Sequence, residues 1–400
     1  MKILQICNKP PYPAVDGGAI AMNNTTQGLI SNGYEVKVLA ISTAKHPVNI
    51  ESLPEDYLVS TKFESVFIDT SIKLKDAFIN LFSSKSYNIE RFISNDFTKK
   101  LIETLEKEKF DIIIIESLFV APYITAIKKI SKAKIVLRAH NVEYKIWERI
   151  SSNTKNPIKK TYLSLLAKRL KAYEIKTFKV LDGIVAMTEV DSNQFVKLGF
   201  NKFITAVPTG YIINKSETKN VEVEKNSIFH IASMDWLPNV EGIKWFLNKV
   251  WKTVYLNSPN SRLYLAGREM PREFYDLKLD NVITVGKVES AKEFYLSKKI
   301  MIVPVLSGSG MRIKIIEGMA LGKVIISTTI GAEGIQVTNN KNILIADSPE
   351  EFAEAIIKCT SNEDFCNEIG LNAQKLILEK YSNSNLSNQL ISFFNLIQEN

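Results

Sequence analysis

Short apolar runs of strand length alternate with amphipathic stretches of helical length through both halves of this 400-residue chain. This alternation is typical of α/β domains with parallel sheets. The first half has predicted strands near Ile3 to Cys7, Glu35 to Ile41, Ser65 to Ile68, Ile112 to Ile115, Lys134 to Leu137 and Gly183 to Met187. The second half has them near Ile228 to Ala232, Leu263 to Ala266, Val282 to Val285, Ile300 to Val305, Val324 to Ser327 and Ile343 to Ile345.

The length favours two domains, because 400 residues exceed what one ordinary hydrophobic core holds. The segment from Thr205 to Asn226 has the polar, Pro- and Gly-containing composition of a connection between domains. We therefore expect two Rossmann-like, doubly wound domains, 1–205 and 206–380, with a C-terminal helix at 381–400 packing back on the first. Ligands of such folds bind at the carboxyl ends of the strands, so the site is expected in a cleft between the domains.

The overall composition is that of a globular protein, with 45% hydrophobic and 24% charged residues. A net charge of +8 favours anionic partners. Cys7, Cys359 and Cys366 lack the spacing of a zinc site or a disulfide framework, which suits a reducing cytoplasm. The apolar start of the chain is too short for a signal peptide, and no run is long enough to span a membrane, so any membrane contact is expected from the side.

The stretch from Pro304 to Ser327 has the pattern strand, glycine loop, helix, strand. Gly308 and Gly310 allow a tight turn and a close backbone approach to a ligand, and a helix is predicted from about Met311. The unpaired amides at the start of a helix favour an anion. The segment therefore predicts a grip for a nucleotide diphosphate.

Charged residues strengthen this interpretation of the segment. Arg312 and Lys314 add two positive charges beside the predicted helix start, and Glu317 could accept hydrogen bonds from hydroxyl groups. The alternative is an ordinary βαβ unit with solvated basic residues. The loop from Ser233 to Asn239 is predicted at the same sheet edge, where Trp236 packs on the following helix and Asn239 either caps it or contacts ligand.

In the first half, Asp16, Gly17 and Gly18 lie between the first strand and a helix. Backbone amides of such a glycine pair can reach a phosphate or a sugar, although a simple turn explains the pair equally well. Neither G-x-G-x-x-G nor a P-loop sequence is present, which disfavours dehydrogenases and P-loop NTPases.

His140 follows the strand Lys134 to Leu137, at an edge where catalytic groups collect. A structural role is the alternative. No metal is expected, because His46 and His230 lie in unrelated sequence contexts and no D-x-D pair is present to hold a cation on a diphosphate.

The stretch from Thr154 to Val180 carries eight lysines and arginines against the single acid Glu174. Leucines recur in it at helical spacing, so one face is apolar and the remainder basic. The stretch is either a helix on its own sheet with a solvated basic face or, at 155–179, a surface that docks on an anionic membrane. Nucleic acid is not an expected partner, because no recognised binding motif is present.

Together these pieces resemble the family-four retaining glycosyltransferases of the GT-B fold (glycosyl transferases group 1) over nearly the whole chain. The first half matches at PYPAVDGGA and RAHNVE, and the second at ASMDWLPNVEGIKWF, LYLAG, VGKV and IIEGMALGKVII. The resemblance implies that Glu317 binds the donor ribose and that His140 lies near the reacting sugar. It also implies a set of further donor-binding residues: Gly17, Gly18, Arg268, Gly286, Lys287, Val288, Ser309, Gly310 and Met311.

The chain departs from the family pattern in two places. Ser309 stands where many members have a second glutamate, eight residues before Glu317. Met234 and Asn239 stand where many members have an arginine and a lysine that hold the diphosphate. We expect Arg312 and Lys314 to replace those charges from the other loop, since a guanidinium and an ammonium can neutralise the same diphosphate.

The predicted function is transfer of a sugar from a nucleotide diphosphate donor to a glycan or lipid-linked acceptor, in synthesis of a cell-envelope polysaccharide or glycoconjugate. The resemblance implies retention of configuration, with no cofactor and no metal. The expected location is the cytoplasm, at the inner face of the plasma membrane if the basic helix docks there. The alternatives are a nucleotide-sugar epimerase of the same architecture and an inactive nucleotide-sugar-binding homologue.

Overall fold

The computed structural model describes residues 1–212, 221–308 and 310–399, apart from the side chains of Leu74 and Ala77. These residues form two units, one of Met1–Gly210 with Asn383–Asn400 and the other of Tyr211–Ser382. The predicted boundary between 205 and 206 lies five residues before the first crossing. Part of the predicted connection, 213–220, lies outside the described residues, and so does Ser309.

The first unit is built on a parallel sheet of seven strands in the order β3-β2-β1-β4-β5-β6-β7. Its strands are β1 Lys2–Cys7, β2 Glu35–Ser42, β3 Glu64–Phe67, β4 Ile112–Glu116, β5 Lys134–Ala139, β6 Gly183–Ala186 and β7 Phe203–Ala206. Strand β7 is absent from the prediction, because its four residues are all half-buried and the last two belong to the predicted polar connection.

The second unit is built on a parallel sheet of six strands in the order β10-β9-β8-β11-β12-β13. Its strands are β8 Ser227–Ile231, β9 Arg262–Ala266, β10 Val282–Gly286, β11 Ile300–Val303, β12 Val324–Ser327 and β13 Leu344–Ile345. The two sheets confirm the predicted α/β class with two doubly wound domains.

Helices flank both sheets and bury the apolar faces of the strands in a separate core for each unit. The first unit contains α1 Gly17–Ser31, α2 Glu55–Thr61, α3 Leu74–Leu81, α4 Tyr87–Glu90, α5 Asn95–Lys107, α6 Ile124–Ile130, α7 Glu143–Asn153, α8 Pro157–Thr177 and α9 Glu189–Lys197, with 3-10 turns at Ile50–Ser52, Leu118–Tyr123 and Phe178–Val180. The second contains α10 Leu237–Lys249, α11 Trp251–Asn257, α12 Arg272–Tyr275, α13 Ala291–Leu296, α14 Ile313–Ala320, α15 Pro349–Ser361 and α16 Glu363–Lys380.

The last helix, α17 Asn383–Gln398, belongs to the first unit, where it packs on α1. Ser387 lies so close to Gly28 of α1 that a Cβ there would come within 1.9 Å of its hydroxyl oxygen. Ile397 likewise approaches Gly183 of β6. Through the described part of the chain, no helix has both the length and the apolar character needed to cross a membrane.

Candidate functional site

Each sheet has one point where the strand order reverses, between β1 and β4 in the first unit and between β8 and β11 in the second. Doubly wound sheets bind ligands at the carboxyl ends of the strands beside this point. The loops after these four strands and the helices that follow them contain Gly17, Gly18, Gly310, Met311, Arg312, Lys314 and Glu317. The other described candidates follow neighbouring strands of the same two sheets: His140 follows β5, Arg268 follows β9, and Gly286 to Val288 lie at the end of β10.

In the second unit, the loop after β8 is joined to α14 through Asn239. The Lys314 ammonium donates a hydrogen bond of 2.8 Å to Asn239 Oδ1, and Asn239 Nδ2 donates one of 2.8 Å to the Ser233 carbonyl. Asn239 is not the helix cap, since Trp236 occupies that position. The ammonium of Lys314 thus lies at the loop after β8, beside Asn239.

Two further basic side chains reach the same loop. Arg268, in the turn after β9, lies with its Nη2 3.3 Å from Ser233 Oγ. The Arg312 guanidinium carbon lies 5.4 Å from the centre of the Trp236 ring, within the range of a cation–π contact. Arg268, Arg312 and Lys314 therefore converge on one loop, although they come from two different parts of the sequence.

The glycine loop after β11 requires glycine at position 308. Gly308 has φ +116°, and a Cβ on it would lie 3.0 Å from Trp236. Arg312 is buried and donates to the Gly310 carbonyl and, at 3.4 Å, to that of Ile330. Arg312 thus holds the shape of the loop as well as supplying charge.

The predicted helix start at Met311 is two residues early. Arg312 has extended backbone angles, and α14 begins at Ile313. The contacts of the guanidinium with the loop carbonyls hold Arg312 outside the helix. Met311 consequently belongs to the loop and Lys314 to the first helical turn.

Lys314 and Glu317 both change charge near neutral pH. Burial, assisted by the nearby charge of Arg312, lowers the pKa of Lys314 to about 7. Burial raises the pKa of Glu317, one turn farther along α14, to about 7. Partly buried groups whose pKa values are shifted in this way at a sheet edge are typical of functional sites.

The loop after β10 lies at the same sheet edge. Gly286 has φ +70°, and a Cβ on it would lie 2.2 Å from the Tyr275 hydroxyl. Its carbonyl accepts a hydrogen bond of 2.7 Å from Gly267 N, which ties this loop to the turn that carries Arg268. Lys287, which is exposed, and Val288, which is half-buried, follow directly.

In the first unit, His140 follows β5 and lies 2.7 Å from the carboxylate of Glu116 at the end of β4. Glu116 is fully buried and accepts a second hydrogen bond, 2.8 Å long, from Gln5 Nε2. The Thr26 hydroxyl donates to Gln5 Oε1 at 2.6 Å, which fixes the orientation of that amide. The chain of contacts fixes the His140 ring, with Nε2 as the nitrogen that faces Glu116.

The glycine pair Gly17 and Gly18 begins α1, directly after the cap residue Asp16. The Asp16 carboxylate accepts from Ala19 N at 2.9 Å and contacts Lys9 Nζ at 2.6 Å and His46 Nε2 at 3.0 Å. A Cβ on Gly18 would lie 2.8 Å from the Lys9 ammonium. The glycine turn is thus packed against a charged cluster.

Sequence reasoning missed Glu116, Lys9 and His46. Glu116 is the polar end of a buried strand, a signal that could have marked it, because such ends meet at the ligand-binding edge. His46 lies in a sequence context unrelated to that of His140, and its Nε2 contacts the Asp16 carboxylate across 30 residues of sequence. Throughout 1–212, 221–308 and 310–399, no three His, Cys, Asp or Glu side chains come together as metal ligands would.

The predicted residues fall into two groups. Gly17, Gly18 and His140 lie in the first unit, whereas the donor-binding candidates from Arg268 to Glu317 lie in the second. Within the second unit the structure brings Arg268, Arg312 and Lys314 to one loop. Each group lies at the carboxyl edge of its own sheet.

Comparison with known proteins identifies residues 225–362 as a match to the family model of glycosyl transferases group 1. Over 391 residues the chain is 23% identical to the "Uncharacterized 44.6 kDa protein in cps region" of Klebsiella pneumoniae, covering 95% of this chain and 96% of the relative.

Solved structures share the fold over almost the whole length. Sucrose-phosphate synthase from Thermosynechococcus elongatus superposes with a TM-score of 0.70 at 13% identity, covering 99% of both chains. Anabaena Alr3699/HepE in complex with UDP gives 0.68 at 12%, covering 99% of this chain and 100% of that one. WaaG, a glycosyltransferase involved in lipopolysaccharide biosynthesis, gives 0.65 at 13%, covering 98% and 99%. The fold is that of the GT-B glycosyltransferases.

Proposed function

We propose that this chain, whose residues 225–362 match the family model of glycosyl transferases group 1, transfers a sugar from a nucleotide diphosphate donor to a glycan or lipid-linked acceptor. The donor is assigned to the second unit. The proposal includes retention of configuration and catalysis without a metal. It also includes binding of the donor ribose by Glu317.

The convergence of Arg268, Arg312 and Lys314 on the loop after β8 carries this proposal. A diphosphate needs positive charge and backbone amides, and the loop lies at the switch point of its sheet, where ligands bind. Anabaena HepE, which shares the fold, was solved with UDP, a nucleoside diphosphate. We expect Arg312 and Lys314 to neutralise the diphosphate here, whereas in many members of the family an arginine and a lysine on the loop after β8 do so.

These side chains also suit the chemistry of transfer. When the bond between the sugar and the nucleoside diphosphate breaks, negative charge builds on the leaving oxygen. Lys314 and the glycine-loop amides would stabilise that charge, and fixed groups in a partly buried site do so more effectively than water. Arg312, bonded to the Gly310 carbonyl, would keep the amides in place.

His140 is proposed to contact a hydroxyl of the transferred sugar or to assist charge separation. Its ring is fixed by Glu116, which is itself fixed by Gln5. A histidine held this way loses little entropy when it binds, and orientation of catalytic groups is a large part of enzyme rate enhancement.

The acceptor is proposed to be an envelope glycan or its lipid-linked precursor, made at the inner face of the plasma membrane. The Klebsiella relative is described by its place in a cps region, and WaaG by lipopolysaccharide biosynthesis. In this chain the basic residues of 155–179 favour an anionic surface.

A thermal-shift screen with UDP, GDP, ADP and their sugar conjugates tests donor binding, since a ligand that binds the native state raises its stability. The best donor is then measured by calorimetry with R312A, K314A and the double variant. The double variant should weaken binding strongly, and K249A/K252A, which removes two exposed lysines of the same unit, should not.

Analysis of the reaction products distinguishes a transferase from the two alternatives, an epimerase and an inactive nucleotide-sugar-binding homologue. Donor incubated alone should be hydrolysed slowly, and adding acceptor glycans should yield a larger product. Conversion of the donor into an epimeric nucleotide sugar would indicate an epimerase instead. Tight donor binding with no turnover across a broad acceptor panel would indicate an inactive homologue.

A further inference from the structure

Helix α3 exposes a stripe of large apolar side chains. Phe78, Leu81 and Phe82 follow the i, i+3, i+4 spacing of one helix face, with Phe82 directly after the last helical residue. Phe78 is 63% exposed and Phe82 is 83% exposed. Their rings contact each other edge-on at 5.6 Å. Adjacent aromatic side chains that stay this exposed need an explanation, because most of their apolar surface contacts water.

The end of α3 is fixed to the basic helix α8. The Arg169 guanidinium donates to the carbonyls of Asn80 at 2.8 Å and Leu81 at 2.9 Å. A third bond, of 3.1 Å, reaches the Asn80 side chain. A cation at the carbonyl end of a helix satisfies acceptors that have no partner within the helix. Arg169 therefore presents the apolar stripe at a defined place beside α8.

Contacts through α4 also tie the start of α3 to α8. Tyr87 of α4 forms a small buried cluster with Leu163 and Leu166 of α8. The Tyr87 hydroxyl accepts from the Lys73 amide at 3.0 Å, just before α3 begins. The segment that leads into the stripe is thus hydrogen-bonded to groups that rest on α8.

Exposed basic residues are found on α8 and in the segments that flank α3. On α8, Lys159, Lys160 and Lys168 are exposed, and the one acid of that helix, Glu174, is buried. Near α3, Lys73 pairs with Asp69 and Lys85 with Glu90. Lys75 and Asp76 of α3 are also exposed. The charge in excess is therefore the positive charge of α8.

We propose that α3 with Phe82 and the exposed lysines of α8 form a membrane-docking surface, in which Phe78 and Phe82 insert among the lipids and the lysines contact anionic headgroups. Apolar insertion and attraction to headgroups together are what an interfacial helix needs. A lipid surface satisfies both requirements, whereas an acidic protein groove would need a matching apolar slot. The proposal rests on the proposed function only for its biological purpose, access to a lipid-linked acceptor.

Vesicle sedimentation of the full chain tests this surface. We expect binding to phosphatidylcholine vesicles that contain phosphatidylglycerol, weak binding to pure phosphatidylcholine, and release by salt. F78S/F82S should reduce the partition coefficient at least tenfold. K159Q/K160Q should reduce it about fivefold for each lysine removed.

Matched controls come from the second unit. L256S/L371S removes two apolar side chains of similar exposure, 68% and 66%, and K249Q/K252Q removes two exposed lysines. Both should sediment like the wild type. Equal binding by F78S/F82S and the wild type would overturn the insertion, and no binding of the wild type to anionic vesicles would overturn the whole surface.

A fluorescent variant reports insertion directly and guards against misfolded variants. In F82W the emission should shift to shorter wavelength with anionic vesicles and be quenched by brominated lipid, whereas L256W should show neither change. Absence of both changes in F82W would overturn the insertion.

The thermal shift produced by the best donor should be the same in every variant and independent of vesicles. Failure of donor binding with vesicle binding intact would remove the proposed function and leave the docking surface standing.

Discussion

Burial lowers the pKa of Lys314, so its charge changes near neutral pH. Its ammonium lies beside Asn239, under a loop that Arg268 and Arg312 also reach. Loss of water on burial and, to a smaller extent, the positive charge of Arg312 disfavour the protonated form, which lowers the pKa of Lys314. The diphosphate of the proposed donor would reverse this balance, because it would bring negative charge next to the ammonium. Donor binding and proton uptake by Lys314 are therefore expected to be linked.

This linkage predicts how donor affinity depends on pH. The pKa of Lys314 is about 7 in the free protein, and a bound diphosphate should raise it. Above pH 7 the free protein has lost a proton that the complex keeps, so affinity for the best nucleoside diphosphate should fall, by up to about tenfold per pH unit. In K314R the affinity should be nearly flat from pH 7 to 9, since a guanidinium stays charged. Calorimetric titration across this range checks it, and an equal slope in both proteins would contradict it.

Glu116 is expected to act through His140 as a positioning residue. In E116Q the transfer rate should fall by about 10² while KM for the donor is unchanged. The substitution removes the carboxylate charge beside the His140 ring but leaves the loops of the second unit untouched. E116D should recover part of the rate. Steady-state kinetics of E116Q, H140A and the double variant form a cycle, in which the two changes should not add. Additive effects would show that the two residues act independently.

At the scale of elements, α7 and α8 meet through a buried carboxylate. Glu174 of α8 accepts hydrogen bonds from the amides of Glu143, at 3.3 Å, and Tyr144, at 3.5 Å, in the first turn of α7. The residue before that turn, Val142, makes no side-chain cap. The single acid of the basic helix thus caps its neighbour. Burial and the negative charge of Glu143 raise the pKa of Glu174 to about 8.

A raised carboxyl pKa makes stability depend on pH. The unfolded carboxyl loses its proton near 4.5 and the folded one near 8. The folded state therefore holds more protons in this window, and its stability should fall as pH rises from about 5 to 8. E174Q keeps an oxygen for the two amides but carries no charge, so it should be more stable than the wild type at pH 8.5 by at least about 1 kcal/mol. Denaturant unfolding at pH 6 and 8.5 measures this, with E148Q, an exposed acid of α7, as the control. A gain of equal size in E148Q would refute the assignment.

At the scale of the whole molecule, the first unit depends on residues from both ends of the chain. Helix α17 buries Phe393, Phe394 and Ile397 in it. Truncation after Ser382 should therefore lower the melting temperature of the first unit by well over 10 °C, since losing even one buried Phe costs about 3–5 kcal/mol. The second unit should keep its own transition in calorimetry. Truncation after Gln398 serves as the control, and an unchanged first transition in the longer deletion would count against this dependence.

Much of this architecture follows from local patterns in the sequence. Apolar runs such as 112–115 and 300–303 are predicted to be strands from their length and composition alone, and the GT-B class is confirmed with them. The glycine loop before α14 was predictable because the sequence places Gly308 and Gly310 directly after a strand. Gly308 does adopt a positive φ, which other residues rarely do. Strand β7 was not predictable, because its residues are half-buried and their pattern is weak.

Side-chain networks were beyond the reach of local patterns. Lys314 and Asn239 lie 75 residues apart, and Gln5 and Glu116 lie 111 apart. Only the strand order brings them together. The extended backbone of Arg312 and its bond to the Gly310 carbonyl follow from packing that the sequence does not display.

The membership of α17 in the first unit has a consequence for synthesis on the ribosome. Domains generally fold as their sequence emerges, with the N-terminal one first. Here the second unit is complete once Ser382 has emerged, whereas the first still lacks its closing helix. The unit translated first should reach its native state last, and until α17 has emerged the surfaces around α1 and β6 lack the helix that packs on them. A chaperone that acts on this nascent chain would find its binding site there.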